Sequence, residues 1–182
     1  MLGLGLKSDT VRLVPYDKAW DTFFEETKAK LSPIFGTNLI EFEHIGSTSI
    51  SVPGIVAKPI LDVNITVRDI SAIPVQAMEQ RGYIYKGEFG IPGRFFFVKY
   101  IEGDIALHHV HCYPDGHQNH LDNITFRDYL RSHPESVLEY GELKQRLASV
   151  FPVNRANYTA AKSDFVRKVL ALARTEAKAD GE

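Results

Sequence analysis

Residues 60–67, Ile-Leu-Asp-Val-Asn-Ile-Thr-Val, constrain the fold of this 182-residue chain more than any other stretch. A nearly continuous, largely β-branched run of this length is expected of a strand buried on both faces, so the fold has to place a layer on each side of it. Two polar residues interrupt the run, and the two-residue period of a strand puts Asp62 and Asn64 on the same face. A carboxylate in such surroundings is costly unless it is paired or bound to a metal; the other reading is a strand-end aspartate that caps a loop. Just upstream lies the small, hydroxyl-rich turn Gly46-Ser47-Thr48-Ser49.

Around this run the chain divides into a sheet-bearing part and a helical part. Val11–Val14 reads as a short strand or extended lead-in that Pro15 breaks, and Trp20, Phe23, Phe24 and Leu31 suit one face of a helix from Asp17 to about Ser32. Asn38–Ile45 alternates as a strand. Asp69 can cap a helix reaching about Gln80, with Pro74 in its opening turns and Gly82 at its end. Tyr83–Glu88, Arg94–Ile101 and Asp104–Tyr113 read as strands, separated by glycines and Pro92 in the manner of antiparallel hairpins. Helices follow at about His120–Ser132, Pro134–Val150 and Asn154–Ala177, with a frayed tail over 177–182. The expectation is one α+β domain over 1–182. A mixed β-sheet flanked by helices occupies about 11–115, and C-terminal helices about 118–177.

Charge and cysteine content narrow the function classes. A formal net charge of −2 provides no global field toward nucleic acid or anionic membrane, so neither is an expected partner and only a local basic patch is open. The single cysteine, Cys112, excludes an internal disulfide and fits a reducing cytoplasm. No apolar run approaches membrane-spanning length, and Met1–Lys7 is too short and Gly-rich for a signal segment. A cytoplasmic protein is therefore expected. No heptad pattern sets an oligomeric state.

Six of the seven histidines fall from His108 to His133. Alternation along Ala106–Tyr113 puts His109 and His111 on one strand face and His108 on the other. Two imidazoles so spaced can share a divalent metal or stabilise a phosphoryl group; they can equally be core-edge histidines bonded to neighbours. His117 and His120 lie in polar sequence and read as solvated. In the hydroxyl turn, Gly46 lets a ligand approach the backbone, and Ser47, Thr48 and Ser49 can donate to phosphate oxygens, although the same residues make an ordinary turn or helix cap. Lys58, and further on Arg127, Lys144, Tyr158 and Lys162, either close over an anion or form solvated faces; Arg94 and Lys99 have the same two readings. No Walker or Rossmann glycine loop is present.

Several motifs occur in order from about Val11 to Leu172. They are Glu43-His44-Ile45-Gly46-Ser47-Thr48-Ser49, Val52-Pro53-Gly54, Ala57-Lys58-Pro59-Ile60-Leu61-Asp62-Val63, His109-Val110-His111, Phe126-Arg127-Asp128-Tyr129-Leu130-Arg131 and Tyr158-Thr159-Ala160-Ala161-Lys162. Together they resemble the signature of the GrpB family. The resemblance implies a polymerase-β-like nucleotidyltransferase fold, with Gly46-Ser47 as the phosphate-binding turn, Asp62 as the first metal carboxylate and a nucleoside triphosphate (NTP) as substrate. Active enzymes of that superfamily normally carry a second acid two residues later, where this chain has Asn64, and Ile50-Ser51 lengthens the turn. With that acid missing, His109 and His111 are expected to complete a site for Mn²⁺, Zn²⁺ or Mg²⁺ beside Asp62. Gly46, Ser47, Thr48 and Ser49 then hold the nucleotide phosphates while Lys58, Arg127 and Lys162 neutralise charge. The expected activity is metal-dependent transfer of a nucleotidyl group to an unspecified acceptor. The alternatives are a catalytically inactive nucleotide- or partner-binding module and a metal-dependent hydrolase of a phosphorylated small molecule.

Overall fold

A computed structural model describes residues 3–179; Met1, Leu2 and the last three residues of the expected frayed tail lie outside the described residues. The central sheet runs in the order β3 (Leu39–Ile45), β5 (Leu61–Val67), β8 (Ile105–Pro114), β7 (Phe95–Ile101) and β6 (Tyr83–Tyr85), and β1 (Leu6–Lys7) pairs with the start of β8. A separate two-residue ladder joins β2 (Val14–Pro15) to β4 (Val56–Ala57). β3 and β5 are antiparallel, as are β6 with β7, β7 with β8 and β1 with β8, whereas β5 and β8 run parallel. The sheet is therefore mixed, and residues from its two antiparallel halves meet along one parallel seam.

Alternation sorts the side chains of that seam. Phe42, Leu61, Val63, Ile65, Val67, Phe97, Val110 and Cys112 point to one face and pack with Phe24, Leu31 and Phe35 of α1 (Ala19–Phe35) into the main core. The opposite face carries Asp62, Asn64 and Thr66 beside His109, His111 and Tyr113. There α3 (Gln118–Ser132) lays His120 against Asn64 and Thr66. α3, α4 (Pro134–Val150) and α6 (Ser163–Ala179) gather around Ile50 and Ile55 in a second core. β5 is thus covered on both sides, as its composition requires.

Three helices differ from the periodic reading. α1 continues through Pro33 to Phe35, because Phe35 is buried in the main core and Gly36, at φ 52°, makes the exit. The segment after Asp69 is not one helix: Asp69 caps a 3₁₀ turn over Ile70–Ala72, and α2 covers only Val75–Glu79. Pro74 forces Ile73 into an extended conformation and so separates the two pieces. The last helix is likewise split, into α5 (Arg155–Ala160) and α6. Among the described residues no helix is long and apolar enough to cross a membrane.

Candidate functional site

The parallel register sets Asp62 directly opposite His109 and Asn64 opposite His111. Both polar interruptions of the apolar strands thereby fall on one sheet face. Asp62 Oδ1 accepts from His109 Nδ1 at 3.0 Å. A carboxylate can only accept, so His109 carries a proton on Nδ1, and in its neutral form the lone pair is on Nε2. His111 has the opposite polarity. Its Nδ1 faces Arg94 Nη1 at 3.1 Å, and a guanidinium can only donate, so the proton of His111 is on Nε2. Burial is the main force holding His111 neutral, pushing it down to about 3. Burial alone would raise Asp62, but the hydrogen bond from His109, with the positive charge of Lys58 nearby, holds it down at about 2. One side chain of this pair of histidines is set to accept a proton and the other to donate one.

These residues line a cleft of about 350 Å³ whose remaining walls include Gly46, Ser47, Lys58, Arg94, Lys144, Arg155, Tyr158 and Lys162. Gly46 closes it: at φ 68° an added Cβ would stand 2.7 Å from Asp62 Oδ2, so only glycine lets the turn approach the carboxylate. Lys144, 2 % exposed, donates to Ser47 Oγ at 2.9 Å and to the Val56 carbonyl. Burial and the nearby Lys162 and Lys58 drive its ammonium well below the usual lysine range. Burial and Lys162 likewise pull Lys58 to about 7, and burial pulls Lys162 to about 8. Among the described residues none of Lys58, Lys144, Lys162 and Arg155 forms an ion pair with a carboxylate. The buried Nε of Arg155 has no acceptor among them. Five cationic side chains thus face a single carboxylate. Such an arrangement can hold an anion.

A second cleft of about 350 Å³ shares Gly46, Asp62, His111 and Tyr140 with the first. Its other walls are Asn119, Asp122, Asn123 and apolar residues of α3 and α6, with no lysine or arginine. Asp62 and His111 stand between a cationic chamber and an uncharged to acidic one.

Of the residues expected at the site, Gly46, Ser47, Lys58, Asp62, His109, His111 and Lys162 are brought together, and three are not. Arg127 is turned away: its guanidinium bonds Glu43, Asp128 and the His44 carbonyl beside a different pocket, so it braces α3 against β3. Thr48 is buried and bonds His44 Nε2 at 3.0 Å, and Ser49 Oγ returns to the Gly46 carbonyl at 2.7 Å. Those two hydroxyls satisfy the turn itself. His120 is not solvated either; at 3 % exposure it joins Thr66, Asn64 and Glu41, while His117 caps α3. Lys144 was open to either reading in sequence, yet Val137, Tyr140, Gly141 and Lys144 share the buried face of α4. A lysine in an apolar stripe was the signal. Arg155 had none.

The chemistry of the donors does not fit a resident divalent ion at Asp62, His109 and His111. His111 presents N–H rather than a lone pair because Arg94 occupies its Nδ1, and Asn64 is held by His120 and Asn123. His109, its Nδ1 proton turned to the carboxylate, keeps only Nε2 as a ligand atom, so the three expected ligands are not all available. Among the described residues no group of three or more His, Cys, Asp or Glu side chains is placed to hold a metal.

Residues 10–172 match the family model described as GrpB protein. The UPF0157 protein YqkA of Bacillus subtilis is 40% identical over 159 residues, which are 86% of this chain and 45% of that protein; the chain spans less than half of that relative. The glutamate-rich protein GrpB of Alkalihalophilus pseudofirmus is 31% identical over 92% of this chain and 98% of its own length. The crystal structure of conserved protein GrpB from Enterococcus faecalis superimposes with a TM-score of 0.82 at 37% identity, covering 91% of this chain and 99% of that one.

Proposed function

The chain belongs to the GrpB family, and from that premise we propose that its cleft binds the phosphates of a nucleoside triphosphate and transfers a nucleotidyl group to a hydroxyl acceptor. The observation that carries this reading is the position of Asp62 between two chambers of opposite character. Lys58, Lys144, Lys162 and Arg155 receive the triphosphate, and a hydroxyl compound without negative charge enters beside Asn119, Asp122 and Asn123. The Asp62–His109 pair takes the hydroxyl proton. The freed oxygen bonds the α-phosphorus as the bond to the β-phosphate oxygen breaks, and pyrophosphate leaves against the lysines. His111 Nε2–H donates to a phosphoryl oxygen as charge develops there. The resemblance of the Gly46–Asp62 segment to a nucleotidyltransferase turn supports the reading, and no step in it requires a resident metal.

Calorimetry with ATP, CTP, GTP and UTP in EDTA tests the binding half. Binding without added metal is expected, and binding seen only with Mn²⁺ would overturn it. Asp62→Asn should keep binding and lose about 100-fold or more of pyrophosphate release. Turnover that survives this exchange removes the assignment of Asp62, while release of phosphate instead of pyrophosphate makes the protein a hydrolase. Tight binding with no turnover at all leaves a binding module, the reading that Asn64 in place of a second acid favours.

A further inference from the structure

Phe89 breaks the local rule at its position. In the connection between β6 and β7, Phe89 has φ 46° and Gly90 has φ 82°, and the Ile91 N–H closes the turn on the Glu88 carbonyl at 3.1 Å. Two consecutive positive φ values are the demand of a type I′ turn, where Gly, Asn and Asp are at home. Among the described residues the other non-glycine positions with positive φ are Asp9 and Glu102, both polar. Phe89 gains little from burial in return, because it is 67% exposed.

Neighbouring groups hold the ring in this conformation. Arg94 donates from Nε to the Glu88 carbonyl at 3.1 Å and from Nη2 to the Phe89 carbonyl at 2.8 Å, while its Nη1 reaches His111. The ring leans on Phe96, with centroids 5.2 Å apart, and Phe96 in turn lies against the Arg94 guanidinium. The same arginine thus fixes both a strained, exposed aromatic and an imidazole of the cleft. Phe89 itself lines the cationic chamber. Strain maintained by surrounding contacts at the edge of a site is a sign of use.

We infer that Phe89 is the platform on which the nucleobase stacks when the triphosphate occupies the lysines, so that the cleft accepts nucleotides as a class without selecting a base. This rests on the cleft being a phosphate site. An anion-binding chamber with a flat apolar face at its rim fits a ligand that joins phosphate to an aromatic ring, and every base has such a face. The turn that carries Phe89 is poor in groups that could read base edges. Gly87, Gly90, Ile91, Pro92 and Gly93 offer no polar side chain, and the Glu88 carboxylate already accepts from the Gly93 N–H at 2.6 Å.

Isothermal calorimetry on the full chain and on Phe89→Ala, with inorganic tripolyphosphate, ATP and CTP as ligands, tests the inference. The exchange should weaken ATP and CTP alike by about tenfold and leave tripolyphosphate unchanged. Phe89→Trp should keep nucleotide affinity, and the fluorescence of the introduced indole should be quenched by ATP and CTP but not by tripolyphosphate; the native Trp20 is fully buried and serves as an internal reference. Unchanged nucleotide affinity in Phe89→Ala, a large difference between ATP and CTP in the native protein, or unquenched indole fluorescence in Phe89→Trp would each overturn the role of Phe89 while leaving the phosphate site standing. If tripolyphosphate fails to bind the native protein, the phosphate site itself fails and the platform with it.

Discussion

Lysines 58, 144 and 162 are the residues whose behaviour departs most from their type. Burial opposes protonation of each, and like charge adds to it at Lys58 and Lys144. The sign of the pH effect follows. Between about pH 7, the folded-state value of Lys58, and the ordinary lysine value of 10.5, these lysines hold more protons in the unfolded chain than in the folded one. Their contribution to ligand-free stability therefore rises with pH across that window, and the buried Cys112 and tyrosines, held protonated in the fold, oppose it toward the upper end. Anion affinity runs the other way, since a bound polyphosphate draws the protons back. Tripolyphosphate titrations at pH 6.5 and pH 9 should show affinity about tenfold weaker at the higher pH, with proton uptake on binding visible as a dependence of the heat on buffer ionisation. An affinity that is flat with pH would place the lysines away from the phosphates. At this scale the sequence was legible where a polar residue broke an apolar run, as at Asp62, His109 and His111. It was opaque where a hydroxyl chose between ligand and backbone: Thr48 and Ser49 look like Ser47 in the string, and only the 3₁₀ turn over Ser47–Ser49 decides that two of the three point inward.

Among the elements, α3 is held to the sheet by polar groups as much as by packing. Arg127, with 9 % of its side chain exposed, binds Glu43 and the His44 carbonyl of β3, and His120 joins β3 and β5 through Glu41 and Thr66. Arg127→Ala strands the Glu43 carboxylate and a carbonyl and should cost about 2–3 kcal/mol, a fall in Tm of roughly 5–10 °C, with ATP affinity unchanged. A loss of affinity without a loss of stability would return Arg127 to the phosphate site. The strands and α4 were readable because their periods are strong and Pro134 marks a start. The break between α5 and α6 was not. The apolar spacing continues across it, and what separates the helices is the local turn at Ala161–Lys162, with Ser163 Oγ bonded back to the Ala160 carbonyl at 2.6 Å.

For the molecule as a whole, a net charge of −2 conceals an uneven distribution in which five lysine and arginine side chains gather in one cleft. Composition could state the sum and not the arrangement, because the five come from α4, α5, the lead-in to β7 and the segments at Lys58 and Lys162, which only the fold brings together. The α+β class was legible, since a strand apolar on both faces needs cover on both. The pairing of β5 with β8 was less so, because a strand carries its period but not the identity of its neighbour. That pairing also has a kinetic meaning. β3–β5 and β6–β7–β8 can each form from residues close along the chain, whereas the seam between them closes a loop of 47 residues from Asp62 to His109. Closure of that length is slow relative to hairpin formation. The seam is therefore expected to join late in refolding, and the proton-accepting pair comes into being only when it does. In stopped-flow refolding, recovery of ligand binding should lag the return of secondary structure seen by circular dichroism, and a shared time course would show the seam forming early. A chain caught before that step would have its sheet halves and hydroxyl turn in place, yet no carboxylate beside an imidazole.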